Sequence, residues 1–462
     1  MDQPFGGPAD LALKGAVMKG LRLFLSLTCI AFASSATAQV FCILPCSITP
    51  CSQYTWPTDP PPCDAASTLQ ACVDNAGPDD TVQIATNFVN ESISIQNALT
   101  LRAAQGFTPV FASGRSITAE PKVYCNSFTI EGLTLDQGDI SVIQQSDGSM
   151  NAQIVGNTIL SPSTNIGATE VGGSGGPVGF DVSGNTISVP YDDSGVLQRE
   201  IGIGVSSVGP SLTGRIEGNS IAMEGIVGRG AIQITTYADS SQIDVIANRI
   251  TGEHYENGVF FEQAAGTAQG RVLDNLVIGT AGGNGGTKGA ISFESTAGTL
   301  DANVVNNTIA AAERGIYVYG ATSVSGLVAN NIMSGSTQEG IWIDPASAAT
   351  VPNRNNLLFG AGGQDFYGTT PGPGTLSMDP LFVGPDDYHL QAASPAIDAG
   401  DDASVPADLT TDLEDNPRIQ GAHVDIGAYE TAPEPTAQTL EITALGALLV
   451  PKARRKAVRV RI

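Results

Sequence analysis

Six short stretches of the chain share the order Gly/Ala-apolar-x-apolar-x, and their x positions hold residue types that can do chemistry. The first x reads Gly204, Gln233, Phe260, Ser292, Tyr317 and Trp342. The second reads Ser206, Thr235, Glu262, Glu294, Tyr319 and Asp344. In an extended strand the apolar positions Ile203, Ile232, Val259, Ile291, Ile316 and Ile341 point to one side and the x residues to the other. Rings beside carboxylates suit contact with a carbohydrate chain. Rings stack on the apolar faces of sugars, and carboxylates bind hydroxyls or transfer protons. Gln233, Phe260, Tyr317, Tyr319 and Trp342 are the substrate-contact candidates, and Glu262, Glu294 and Asp344 the acid–base candidates. An ordinary solvated strand face would carry similar letters.

If each stretch is one level of a stack, Glu262 and Glu294 lie one level, about 5 Å, apart. Asp344 then lies two levels, about 10 Å, beyond Glu294. Retaining glycosidases hold their carboxyls roughly 5–5.5 Å apart and inverting ones roughly 6.5–9.5 Å, so either pair is conceivable. Two stacked glutamates could instead share a calcium ion. Asp398, Asp401 and Asp402 form a second possible calcium group, without EF-hand or nonapeptide spacing. Turns use isolated aspartates in the same way. The glycine-rich stretches Gly172 to Gly176 and Gly282 to Gly286 lack the Lys-Ser/Thr of a phosphate cradle. Two residues before each Gly/Ala the chain reads Glu200, Arg229, Glu256, Lys288, Glu313 and Gln338. Alternating signs at neighbouring levels read as a salt-bridge ladder, not a basic catalytic cluster.

A second repeat, out of phase with the first, supplies the stack. It reads Gly156-Asn157-Thr158-Ile159, Gly184-Asn185-Thr186-Ile187 and Gly218-Asn219-Ser220-Ile221. Looser copies follow at Asn248, Asn275, Asn307, Asn331 and Asn356. The Asn-to-Asn steps are 28, 34, 29, 27, 32, 24 and 25 residues. Such a step fits one coil of three short strands and three turns, and the Leu-x-x-Leu-x-Leu pattern of leucine-rich repeats is missing. Asn tolerates the left-handed conformation at a sharp turn, and its amide can bond to the next Asn in a column. The expected fold is all-β: a right-handed single-stranded parallel β-helix of about 10–11 coils, with an N-terminal capping helix and a small C-terminal module.

Composition agrees. The 462 residues include 54 glycines, with 6% aromatic and 15% charged residues, which suits short strands and many turns. The net charge of −25 understates the body. Setting aside residues 1–38 and the last eleven, 12 basic and 44 acidic residues remain, which disfavours nucleic acid as a partner. Lys14, Lys19 and Arg22 precede an apolar run, Leu23 to Phe32, and Ala36-Thr37-Ala38 offers a cleavage site; this is the pattern of an export signal. The run is too short to span a membrane. Cys42, Cys46, Cys51, Cys63, Cys72 and Cys125 then remain, read as disulfides of unknown pairing, with a loose zinc knuckle as the rival.

On the two repeat columns, the chain resembles the right-handed β-helix proteins of the pectate-lyase-like superfamily. Leu69-Gln70-Ala71-Cys72-Val73-Asp74 resembles their capping helix and Asp79 to Ile84 their first strand. Asp379-Pro380-Leu381-Phe382, Ser394-Pro395-Ala396-Ile397-Asp398-Ala399-Gly400 and Val424 to Glu430 are similar to the choice-of-anchor Q module of exported bacterial β-helix proteins. Pro433-Glu434-Pro435, the apolar Leu440 to Val450 and a basic tail resemble a PEP-CTERM sorting signal, though that apolar stretch is short and contains Glu441. The implied segments are 1–38 signal, 39–78 Cys-rich segment and cap, 79–365 β-helix, 366–431 C-terminal module and 432–462 tail. The resemblance implies an exported, cell-surface or matrix protein that contacts extracellular polysaccharide, with possible membrane or envelope anchoring through the tail. A polysaccharide lyase or glycoside hydrolase, or a passive spacer, are the alternatives. The superfamily's enzyme patterns are absent: there is no Gly-His-Gly turn, and only His254, His389 and His423 occur.

Overall fold

The computed structural model describes residues 52–120, 126–145, 147–160, 169–189, 201–228, 230–255, 257–279, 289–320 and 323–432. The export signal, Cys42, Cys46, Cys51, Cys125, residues Glu200, Arg229, Glu256 and Lys288, and the tail from Pro433 lie outside them.

Among the described residues, three parallel sheets of 12, 11 and 11 strands form a solenoid. One coil shows the path. Ser240–Ile246 lies in the first sheet, Arg249–Tyr255 in the second and Val259–Gln263 in the third; Thr267–Leu273 then pairs with Ser240–Ile246, one coil on. The alternation read from the sequence sets the register. Ile232 pairs with Val259, Val259 with Ile291, Ile291 with Ile316 and Ile316 with Ile341, all fully buried. Phe261 and Phe293 stack inside, with ring centroids 5.3 Å apart, over Gly270, where a Cβ would strike both rings.

The Asn column runs from Asn157 to Asn356 as a buried ladder. At a typical level, Asn275 Oδ1 accepts from the Asn248 backbone N–H and Nδ2, both at 2.9 Å, while Asn275 Nδ2 donates to the carbonyls of Val245 and Leu273. Each Asn thereby saturates the turn of the coil before it. One expectation is corrected. The left-handed residue is not the ladder Asn but the one preceding it: Gly156, Gly184, Gly218, Ala247, Asp274, Asn306, Asn330 and Asn355 all have φ between 47° and 63°. The ladder Asn must instead point its amide inward.

At the N-terminal end helix α1 (Leu69–Asn75) covers the first coil with Leu69, Cys72 and Val73. Thr68 caps it by accepting from Ala71 N–H, and Glu91 accepts from Leu69 and Gln70 N–H. Cys63 and Cys72 form a disulfide that ties α1 to the preceding turn.

The coils continue past the expected boundary at 365, because Phe366–Tyr367 adds an eleventh strand to the third sheet. The chain then returns as a strap along the Asn turns, burying Leu390, Ala396 and Ile426 against Ile332 and Leu357, and Leu409 against Ile246, Leu273 and Val305. Under the strap, the left-handed residue is polar and holds it. Asn355 donates to Ala399 O, Asn330 accepts from Asp401 N–H, and Asn306 donates to Asp425 O. Asp274 accepts from Arg418 at 2.8 Å. Arg418 also pairs with Glu430 at 2.8 Å, and all three side chains are buried. Burial pushes Asp274 well above the ordinary carboxyl range and Glu430 to about 7, while the Arg418 charge opposes both shifts.

Candidate functional site

The outer face of the third sheet carries the sequence candidates in two columns. The first runs Gln233, Phe260, Ser292, Tyr317, Trp342 and Tyr367, each in register with the next. The second runs Thr235, Glu262, Glu294 and Tyr319. Asp344 follows the next strand, Ile341–Ile343, and its N–H donates to Val318 O.

Burial divides the first column. Gln233, Phe260 and Tyr317 are only 9%, 4% and 7% exposed. These substrate-contact candidates point out of the solenoid but are largely covered. Trp342 is half-buried, Tyr319 is 37% exposed and Tyr367 42% exposed. Among the described candidates, the more exposed rings lie at the C-terminal end of the sheet.

There the rings form a stair. Tyr317 and Trp342 stack at 4.4 Å between centroids, and Trp342 and Tyr367 at 5.4 Å with 6° between planes. Tyr319 stands 6.5 Å from both Tyr317 and Trp342. Near-parallel rings 5.4 Å apart are slid past one another, so part of each face stays bare. Tyr367 was missed from the sequence. Its signal is Asp365-Phe366-Tyr367, one more copy of the strand pattern with Phe in place of Ile and no leading Gly.

Glu262 and Glu294 are register partners, as their spacing implies, and both are half-buried. Asp344 is separated from Glu294 by the level of Tyr319. The expected polar ladder has two of its six members in the described residues: Gln338 donates to Glu313, and alongside them Arg314 binds Glu339 at 2.6 Å.

The aspartates considered as calcium ligands make hydrogen bonds within the strap. Asp398 accepts from Ala422 and His423 N–H, Asp401 from Ser404 Oγ and Arg354, and Asp402 from Val424 N–H and His423 Nδ1. Among the described residues no group of three or more His, Cys, Asp or Glu side chains could hold a metal ion. Among them, too, no helix is long and apolar enough to cross a membrane.

The fold places the chain in the class of parallel β-solenoids. No protein-family model and no curated protein matches it. Among solved structures it is similar to the crystal structure of pectate lyase Pel9A, at 11% identity and a TM-score of 0.36, over 82% of this chain and 97% of that one. The class assignment stands on the strand pairing itself.

Proposed function

We propose that this is an exported β-solenoid that contacts extracellular polysaccharide through the C-terminal end of its third sheet. The observation that carries the reading is the partly exposed stair of Tyr319, Trp342 and Tyr367 beside Glu294 and Asp344. Bare ring area receives the apolar face of a pyranose, and the carboxylates accept its hydroxyls. A polymer lying along the sheet meets a binding group about every 5 Å, the spacing of the coils. The Cys63–Cys72 disulfide fits an oxidising compartment, and the N-terminal segment supplies an export route. Anchoring by the Pro-Glu-Pro tail belongs to the same reading.

Affinity electrophoresis in gels of soluble polysaccharides tests it. Wild type is retarded by at least one glycan, and Tyr319→Ala with Tyr367→Ala abolishes the retardation with a melting temperature within about 3 °C of wild type. Retardation that survives both substitutions removes the stair from the site. A chain that no glycan retards is a passive spacer. Reducing ends or unsaturated products released by wild type, and lost in Glu294→Gln, would make the same face catalytic.

A further inference from the structure

We propose that Gln70 and Asp59 are plugs against self-assembly. Their side chains fill the hydrogen-bonding positions that an added coil would take, and so keep a second copy of this chain from docking its last coil on the N-terminal end. The inference is independent of the glycan reading.

Among the described residues the third sheet begins with Ile93–Ile95 and the first with Gln53–Trp56. Successive residues of a strand turn their backbone groups to opposite sides. Ile93 N–H donates to Ser116 O and Ile95 O accepts from Glu120 N–H, so both face the next coil. Ser94 between them turns its N–H and C=O toward the end of the solenoid. Gln70 of α1 takes both: Oε1 accepts from Ser94 N–H and Nε2 donates to Ser94 O, each at 2.8 Å. A primary amide offers the same donor–acceptor pair as the peptide unit of an added strand. Asp74, one turn along α1, accepts from the same Nε2 at 2.8 Å and steadies it. In the first sheet, Ser52 O and Trp56 O accept from the next coil, and Thr55 faces the end. Its N–H donates to Asp59 Oδ2 at 2.6 Å, and its C=O accepts from Thr58 and Asp59 N–H at 3.0 and 2.8 Å. The second sheet begins with a strand of two residues, Phe88–Val89, too short to be a good template.

Two tasks are thus divided along one helix. Leu69, Cys72 and Val73 cover the core, and Gln70 covers the edge. The strand that fits this edge lies at the other end of the same sheet. Phe366–Tyr367 is its last strand, and it pairs parallel with its neighbour as Ile93–Ile95 does with its own. A second copy shifted along the axis brings Phe366–Tyr367 against Ile93–Ile95 in that same parallel sense. Such a head-to-tail contact does not close, so it propagates into filaments.

The test separates an opened edge from a loosened cap. Sedimentation velocity compares wild type, Gln70→Ala with Asp59→Ala, and Val73→Ala over about a hundredfold range of concentration. Wild type stays monomeric. The plug variant forms larger species as concentration rises, while its melting temperature when dilute stays close to that of wild type. Val73→Ala melts lower and remains monomeric. Hydrogen exchange at residues 93–95 is faster in the dilute plug variant than in wild type, and slows again as that variant is concentrated. If the double variant does not fold, Gln70→Ala alone is put to the same measurements. A plug variant that stays monomeric throughout overturns the proposal. So does equal association of Val73→Ala, or association that leaves residues 93–95 unprotected, because either shows a lost cap and not an occupied edge.

Discussion

At the scale of single residues, the ladder asparagines carry more than their size suggests. Asn275 satisfies its neighbours' turns above and below through buried bonds. Asn275→Ala strands the Asn248 N–H and the Val245 carbonyl in the core, and should lower stability by about 2–4 kcal/mol, since each buried unpaired group costs ~1–3 kcal/mol. The shift of the urea midpoint, with an unchanged far-ultraviolet spectrum, measures it. The Asn and Ile columns were readable in the sequence because each repeats one task once per coil. The exposure of the outward column was not. Gln233 and Phe260 occupy the same strand position as Trp342, yet only Trp342 keeps an open side. Alternation says which way a side chain points, and says nothing of what lies over it.

At the scale of elements, the strap explains a pattern that the sequence showed without a reason. The residue before the ladder Asn is Gly at 156, 184 and 218, where a left-handed turn needs only a small residue. It becomes Asp274, Asn306, Asn330 and Asn355 where the turn must also grip the returning chain. Sequence alone places acids such as Asp398 and Asp402 near one another but does not show the backbone N–H groups they meet. The buried carboxyls of Glu430 and Asp274 beside Arg418 make the strap sensitive to pH. Glu430 has a folded pKa of about 7 against an ordinary value of 4.5, so its proton contributes stability fully below pH 4.5, and that contribution is lost as pH rises through about 7. Asp274 is shifted in the same direction. His389 adds to this sign: burial works against its charged ring, yet Glu414 and Asp387 hold its pKa above the ordinary value. Hydrogen exchange, corrected for intrinsic rates, should show residues 409–430 better protected at pH 5.5 than at pH 8.5; the reverse order would contradict the pairing. Arg418→Met leaves two buried carboxyls without their cation. It should cost about 3–5 kcal/mol at pH 8 and clearly less at pH 5, where protons replace the lost charge. Equal midpoint shifts at both values would show that Arg418 acts by packing alone.

At the scale of the whole molecule, a solenoid is held by contacts between neighbouring coils, so it can open from an end. Here the ends are treated differently. Helix α1 and the disulfide close one, and the strap reaches back from the other as far as Arg249. The stair of rings sits at that second end, and stacked rings there contribute about 0.5–1.5 kcal/mol per pair to the last coils. The same rings thus serve the fold and the proposed glycan contact, and binding must be separated from stability. The chain makes this possible, because it contains only two tryptophans, Trp56 beside the capping helix and Trp342 in the stair. In Trp56→Phe protein, emission reports Trp342 alone. Titration with the best-retarded glycan should shift and saturate that emission, at the affinity found by calorimetry and with no change in melting before ligand is added. A glycan that binds with the same affinity while Trp342 emission stays constant would place the contact elsewhere on the molecule and contradict the account.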